Sequence, residues 1–176
     1  QDFRILFLTR RYPPSKGGIQ THCFQLFSHL SPLRKVKLIA LRRNHLMHLI
    51  WFIPYTFMIS LFELAFRRVD TVYFGDGVTC CLAAFLRPLS RAQFVVTIYG
   101  LEMTYSHPIF SHLIRMGVSC CQQVVVISDN TRRIAVKAGV PREKIRVVYL
   151  GIKPLVLPEE RHQILKAKFE ERYSIR

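Results

Sequence analysis

Acidic side chains are few in this 176-residue chain: Asp and Glu number 11 against 26 Lys and Arg, and the net charge is +15. That balance points to acidic partners, whether nucleic acid, anionic lipid headgroups or phosphorylated substrates. The five cysteines, Cys23, Cys80, Cys81, Cys120 and Cys121, contain no C-x-x-C. Their spacing therefore offers neither a zinc site nor a thioredoxin-like redox pair. An odd count with two neighbouring pairs reads as reduced thiols packed as small apolar groups in a cytoplasmic protein. No G-x-x-x-x-G-K-[ST] occurs, which excludes a P-loop. A G-x-G-x-x-G is missing from the first turn, and the second strand ends in Leu41-Arg42-Arg43 rather than an acid, so NADP binding ranks low. The first residues read at once as a strand and not as a leader peptide. Nucleic-acid-binding motifs are missing too, and the aromatics fall mostly within apolar runs, so nucleic acid is not the expected partner.

Half of the residues are hydrophobic, which is enough for one domain with a real core and rules out a disordered chain. The most informative stretch is Thr9-Arg10-Arg11-Tyr12-Pro13-Pro14-Ser15-Lys16-Gly17-Gly18-Ile19-Gln20-Thr21-His22. It follows the apolar run Ile5–Leu8 and precedes a helical pattern. Two adjacent glycines let backbone approach a ligand without Cβ interference. A helix opening there presents free N–H groups and the positive end of its dipole to phosphate. Arg10, Arg11 and Lys16 add charge to the same loop. An ordinary surface loop with turn residues is the competing reading.

Beyond it the pattern alternates. Strands are expected at Arg4–Leu8, Lys35–Leu41, Thr71–Phe74, Gln93–Ile98, Val124–Ile127 and Lys144–Val148. Helices are expected at Ile19–Leu30, Asn44–Phe66, Val78–Phe85 (stopped before Pro88), Ile109–Cys121, Asn130–Ala138 (ended by Gly139) and Glu159–Tyr173. Short, continuously apolar strands joined by helices predict a parallel sheet buried on both faces, a Rossmann-like three-layer α/β domain. Ligands then sit beyond the C-terminal strand ends. Loop 9–18, the turn Phe74-Gly75-Asp76-Gly77 and the segment Tyr99-Gly100-Leu101-Glu102 are expected to open on that one edge.

Residues 45–66 carry a second signal. Leu46–Phe62 holds only His48, Thr56 and Ser60 as clearly polar members. As a helix it would rise about 26 Å, short of a comfortable bilayer crossing. Pro54 lies in its middle, and Thr56, Ser60, Glu63 and Arg67 share one narrow stripe. The leading expectation is a helix packed on the core. Partial membrane insertion and a true span are the alternatives, and the flanking Arg42, Arg43, Arg67 and Arg68 suit anionic headgroups.

A family resemblance ties these segments together. Arg4–Thr9 with Pro14 and Gly17-Gly18, followed by Gln20, Thr21 and His22, resembles the opening strand and glycine-glycine loop of the GT-B fold glycosyltransferases of family 4. Asp70-Thr71-Val72-Tyr73 resembles their proline-aspartate-valine-isoleucine-histidine strand, and Val95–Glu102 their threonine-isoleucine-histidine-glycine-x-aspartate segment. Val124–Ser128, then Arg132 or Arg133, then Gly139–Ile152 resembles the stretch leading out of the first domain. The last match is the most specific, because it keeps order and spacing.

The resemblance implies the N-terminal, acceptor-binding half of a GT-B fold. Residues 1–153 would form it, and 154–176 would be a linker and charged helix leading to a second domain that this chain lacks. It implies sugar transfer with retention from a nucleotide-sugar co-substrate, without metal or other cofactor, to a glycan or lipid-linked acceptor. Gly17, Gly18, Lys16 and Arg11 would meet the donor phosphates. His22, Gly75, Asp76, Gly100, Glu102, Ser128 and Arg132 would line the acceptor side. Tyr99 stands where the family often holds a catalytic histidine, and tyrosine supplies a hydroxyl but no imidazole. The family's two donor-domain glutamates, eight positions apart, have no counterpart here. Little or no activity is therefore expected of the chain alone, and a non-catalytic phosphate- or sugar-binding module is the alternative. The expected location is cytoplasmic, peripheral at the membrane face.

Overall fold

Six apolar runs become six parallel strands in a computed structural model, which describes residues 3–42, 46–104, 107–151 and 159–173. The elements are β1 (Arg4–Thr9), α1 (Gly18–Leu30), β2 (Lys35–Ala40), α2 (Leu49–Phe66), β3 (Thr71–Phe74), α3 (Ala83–Leu86), β4 (Gln93–Ile98), α4 (Pro108–Ser119), β5 (Gln123–Val126), α5 (Asp129–Lys137), β6 (Ile145–Val147) and α6 (Glu159–Tyr173). The sheet order is β2-β1-β3-β4-β5-β6, the Rossmann-like arrangement expected from the alternation.

Chain direction reverses at β1. The chain steps outward to β2 and returns over β1 to β3, so the switch point lies between β1 and β3, where open α/β sheets bind ligands. Right-handed crossovers place the two outgoing directions on opposite faces. Side chains alternate accordingly. Leu6 and Leu8 join Phe52 of α2, Ile114 of α4 and Ala135 of α5 in the larger core. Phe7 points the other way and packs with Tyr12 and Cys23 of α1.

Boundaries differ from expectation by a residue or two at most strands and helices. Asn44, the expected start of the long helix, and the 153/154 boundary lie outside the described residues. The expected helix Val78–Phe85 is instead a 3-10 turn (Thr79–Leu82), α3, and another 3-10 turn (Arg87–Leu89) that contains Pro88. Proline is tolerated there because it falls in the first turn, where its missing N–H has no acceptor to serve. Tight packing explains the broken helix. Gly117 of α4 crosses so close that a Cβ would lie 2.1 Å from the Cys80 carbonyl oxygen.

The long apolar helix packs on the sheet, as its leading expectation has it, and its buried residues are Phe52, Thr56, Ser60 and Glu63. The polar stripe faces inward. Glu63, 2% exposed, accepts from Lys37 Nζ of β2 at 2.7 Å, with Arg67 Nε at 3.4 Å.

Candidate functional site

The site is built where β1, β3 and β4 end. Thr9 closes β1 and is fully buried, as is Asp76 in the turn after β3. Asp76 accepts from the Arg10 N–H at 2.8 Å, the Val78 N–H at 3.1 Å and the Thr79 N–H at 3.0 Å. Its Oδ2 also lies 3.1 Å from Thr9 Oγ1, and the Arg10 guanidinium is 3.4 Å from Oδ1. Both carboxylate oxygens are thus occupied. Asp76 caps the turn that follows it and locks the loop after β1 to the loop after β3. Gly75 fits between them because a Cβ there would meet Phe7 at 2.8 Å and Thr9 at 2.9 Å.

The loop after β1 delivers Gly17 and Gly18 to the start of α1. Gly17 takes φ +154°, a conformation that L side chains rarely adopt. No side chain caps α1, and no acid occupies its first turn. The first intrahelical bond runs from Thr21 N–H to Gly17 C=O at 3.1 Å. The amides of Gly18, Ile19 and Gln20 precede it and have no intrahelical acceptor. Around Gly18 nothing lies within 4 Å of a Cβ position. Lys16 is exposed beside it. Arg11 is half-buried, and its Nε has no hydrogen-bond partner.

One turn further along α1, His22 Nδ1 lies 2.6 Å from the Tyr99 hydroxyl at the end of β4. Burial lowers the His22 pKa and is the first cause raising that of Tyr99, with Cys23, Tyr73 and Asp76 adding to it. Both groups are neutral around pH 7. Between two neutral groups the phenol is the stronger donor, so the arrangement that follows has Tyr99 O–H donating a hydrogen bond to Nδ1 and the imidazole N–H on Nε2. Cys23 sits beneath the pair, 3.9 Å from the Tyr99 oxygen and 3.5 Å from Gly75 O. Burial pushes its thiol up to about 11, so it is a packed thiol rather than a nucleophile.

Glu102 closes the cluster. Its Oε2 accepts from the Tyr99 N–H at 3.1 Å, while Oε1 is buried with no hydrogen-bond partner. The residue is 3% exposed, and burial, helped by the Asp76 charge, raises its pKa. A buried acceptor without a donor costs free energy unless something supplies one.

The remaining candidates belong to the next strand. Ser128 caps α5, accepting from Thr131 N–H at 3.1 Å. Arg132 is held by Asp129 at 2.7 Å. Gly100, with φ +107°, abuts Thr131 of the same helix. The sheet therefore brings His22, Tyr99, Glu102, Gly75 and Asp76 into one connected group beside Gly17-Gly18, with Ser128 and Arg132 on the adjoining strand exit. Thr9, known from sequence only as the start of the loop, and Cys23 join the site through contacts that the sequence does not show. Cys23 follows His22 directly, but only the sheet shows that it turns toward Thr9 and Gly75. Among the described residues no three His, Cys, Asp or Glu side chains gather as a metal centre.

Solved structures share the architecture. Anabaena HepE in complex with UDP superposes with TM-score 0.60 at 14% identity, over 94% of this chain and 50% of that one. HepE with UDP and glucose gives 0.62 at 13% identity, over 94% and 50%. The lipopolysaccharide outer core galactosyltransferase WaaB in its apo form gives 0.61 at 17% identity, over 89% and 49%. At these identities the likeness is one of fold, and this chain spans about half the length of each. No curated protein matches the sequence. The arrangement is that of one half of a GT-B fold, and the family model for Glycosyltransferase Family 4 covers residues 16–154. That match runs from the glycine-glycine loop through the Tyr99–Glu102 segment to the exit from β6, and it makes this chain a member of Glycosyltransferase Family 4.

Proposed function

We propose that this domain forms the acceptor side of a nucleotide-sugar-dependent glycosyltransferase and contributes one wall of its donor-phosphate site. The observation that carries the reading is the uncapped start of α1. Free amides at Gly18, Ile19 and Gln20, open space at Gly18 and a first turn without an acid make a place for a diphosphate. As the bond between sugar and diphosphate breaks, charge grows on the leaving oxygen, and these fixed dipoles stabilise it. Lys16 and Arg11 add positive charge there.

Across the switch point, His22 Nε2–H offers a donor and Glu102 Oε1 an acceptor for sugar hydroxyls. Tyr99 holds the imidazole in the tautomer that presents Nε2–H, so an imidazole enters from α1 where the family position itself is tyrosine. Asp76 acts by positioning, through Thr9 and Arg10. Ser128 and Arg132 line the approach, while the buried Gly75 and Gly100 let the strand exits close up behind it. Transfer proceeds with retention and without a metal, a proposal that rests on family membership. The second wall, which grips the nucleotide, comes from a further domain, in keeping with the half-length coverage of the solved structures. The acceptor is a glycan or lipid-linked sugar, and the protein works at the cytoplasmic membrane face. Support for that location is the +15 charge and the apolar α2.

Saturation-transfer NMR of the chain with soluble and polyprenyl-linked glycans tests the acceptor role. Signal from at least one acceptor, lost in Glu102→Gln, is expected; silence across the panel counts against the reading. Nucleotide-sugar turnover by the chain alone is expected to be absent, and measurable transfer would overturn the half-site assignment.

A further inference from the structure

α2 is inverted relative to an ordinary surface helix. Its thin polar stripe is buried, and its outward side carries Ile50, Trp51, Tyr55, Met58, Phe62 and Phe66, each at least half exposed. From Trp51 onward these recur every three to four residues, and with Ile50 they form one continuous ridge about 24 Å long. Only 22% of the helix is buried, at a mean hydropathy of 1.7. Phe85 and Leu89, 53% and 59% exposed, widen the ridge toward α3. Phe85 packs edge-on against Phe57 of α2.

Charge decides what covers this ridge. At the C-terminal end of α2, Arg67, Arg68 and Arg91 line an open cleft of about 410 Å³ together with Leu89 and Asp70. Arg67 lies 3.4 Å from Glu63 and Arg68 3.6 Å from Asp70, and three arginines against these two acids leave the cleft positive. Arg42 is exposed near the other end. A second copy would bring another +15 chain to a basic rim, which repels it. An anionic bilayer attracts the same rim and accepts the apolar ridge. Trp51 and Tyr55 are the side chains that sit well at a headgroup boundary.

We propose that α2 lies flat in the headgroup region of an anionic membrane, with this ridge submerged and the arginine cleft holding lipid phosphates. The inference rests on the membrane-face reading above and adds the surface and its orientation. A span is excluded by the inward stripe: Glu63 is tied to Lys37 of β2 and Phe52 lies in the core, so crossing the bilayer would strip α2 from the sheet. Orientation follows from topology. α2 leaves the C-terminal end of β2, the ligand edge, and runs toward the start of β3. Ile50 and Trp51 therefore lie at the ligand-edge end of α2, opposite the arginine cleft, and a lipid-linked acceptor would reach the site from the same surface.

Trp51 is the only tryptophan in the chain, so its emission reports this surface alone. Flotation and Trp51 fluorescence are measured together, using phosphatidylcholine vesicles with and without phosphatidylglycerol. Expected are co-flotation with anionic vesicles, a blue shift, and stronger quenching by lipids brominated near the headgroup than near the chain end. Met58→Trp in a Trp51→Phe background is expected to show the same shallow profile; deeper quenching there means a span and overturns the proposal. Met58→Ser with Phe62→Ser, both exposed in the fold, is expected to weaken vesicle binding about tenfold or more with an unchanged melting temperature. Flotation with unmoved Trp51 emission overturns the ridge while leaving the membrane-face reading intact. No flotation at all overturns both. A blue shift that grows with protein concentration without lipid identifies a second copy and overturns the proposal.

Discussion

His22 and Tyr99, 77 residues apart in sequence, meet at 2.6 Å through Nδ1 and the phenol oxygen. The contact ties the start of α1 to the end of β4 and occupies Nδ1, leaving Nε2 as the other ring nitrogen. Tyr99→Phe removes the donor that favours neutral imidazole. The His22 pKa, lowered by burial in the native protein, is expected to rise in that variant, with a stability loss of about 1 kcal/mol. Titration of the His Cε1–H resonances by NMR measures the first, and urea unfolding the second. An unmoved His22 resonance would separate the two side chains in solution.

Neighbouring glycines in the loop are expected to behave oppositely. Gly17→Ala places a Cβ 2.5 Å from Gln20 Oε1 on a backbone at φ +154°, and about 1–3 kcal/mol of stability is lost. Gly18→Ala meets nothing within 4 Å and leaves the melting temperature nearly unchanged. On the proposed reading its cost falls on diphosphate binding: pyrophosphate affinity, read by calorimetry, is expected to drop. Equal affinity in native and Gly18→Ala protein would move the donor phosphates elsewhere.

Glu102 gives a pH test with a definite sign. Its folded pKa is raised by burial, so folding takes up a proton and stability falls as pH climbs above the unfolded carboxyl value of about 4.3. Glu102→Gln removes that dependence. The melting temperature of the variant minus that of the native protein is expected to become more positive from pH 4 to pH 7. A difference that shrinks over this range would mean the carboxylate finds a partner in the folded chain.

Gly117→Ala is expected to be the most damaging of these substitutions. Its Cβ would lie 2.1 Å from a main-chain carbonyl oxygen at Cys80, and no rotamer change relieves a backbone clash. A loss of about 3 kcal/mol or more is expected in urea unfolding. A melting temperature close to that of the native protein would show that α4 can slide.

Much of this was legible in one dimension. The alternation of apolar strands and helices locates six strands and their parallel order of connection. Thr9–Glu102 already contains the three loops that open together, because in a doubly wound sheet every strand exit lies on one edge. The fate of Val78–Leu89 was not legible, since its helix is broken by the approach of Gly117 some forty residues away. Nor was the task of Asp76: a turn aspartate in sequence, it becomes a buried clamp once β1 brings Thr9 and Arg10 against it.

Periodicity marked the stripe Thr56, Ser60, Glu63 on α2 without saying which side it faced. A polar stripe on an apolar helix goes to water by default. Lys37, placed on β2 by the sheet, draws Glu63 inward and turns the apolar side out. A glycine-glycine loop opening a helix at the ligand edge, by contrast, is readable from residues 9–22 alone, because it follows from local chain geometry. That His22 would meet Tyr99, and that Glu102 would be left with one buried oxygen unpaired, was decided only by tertiary structure. Both depend on the lateral order of β1, β3 and β4, and strand order is set by packing between distant segments rather than by any residue's neighbours in the chain.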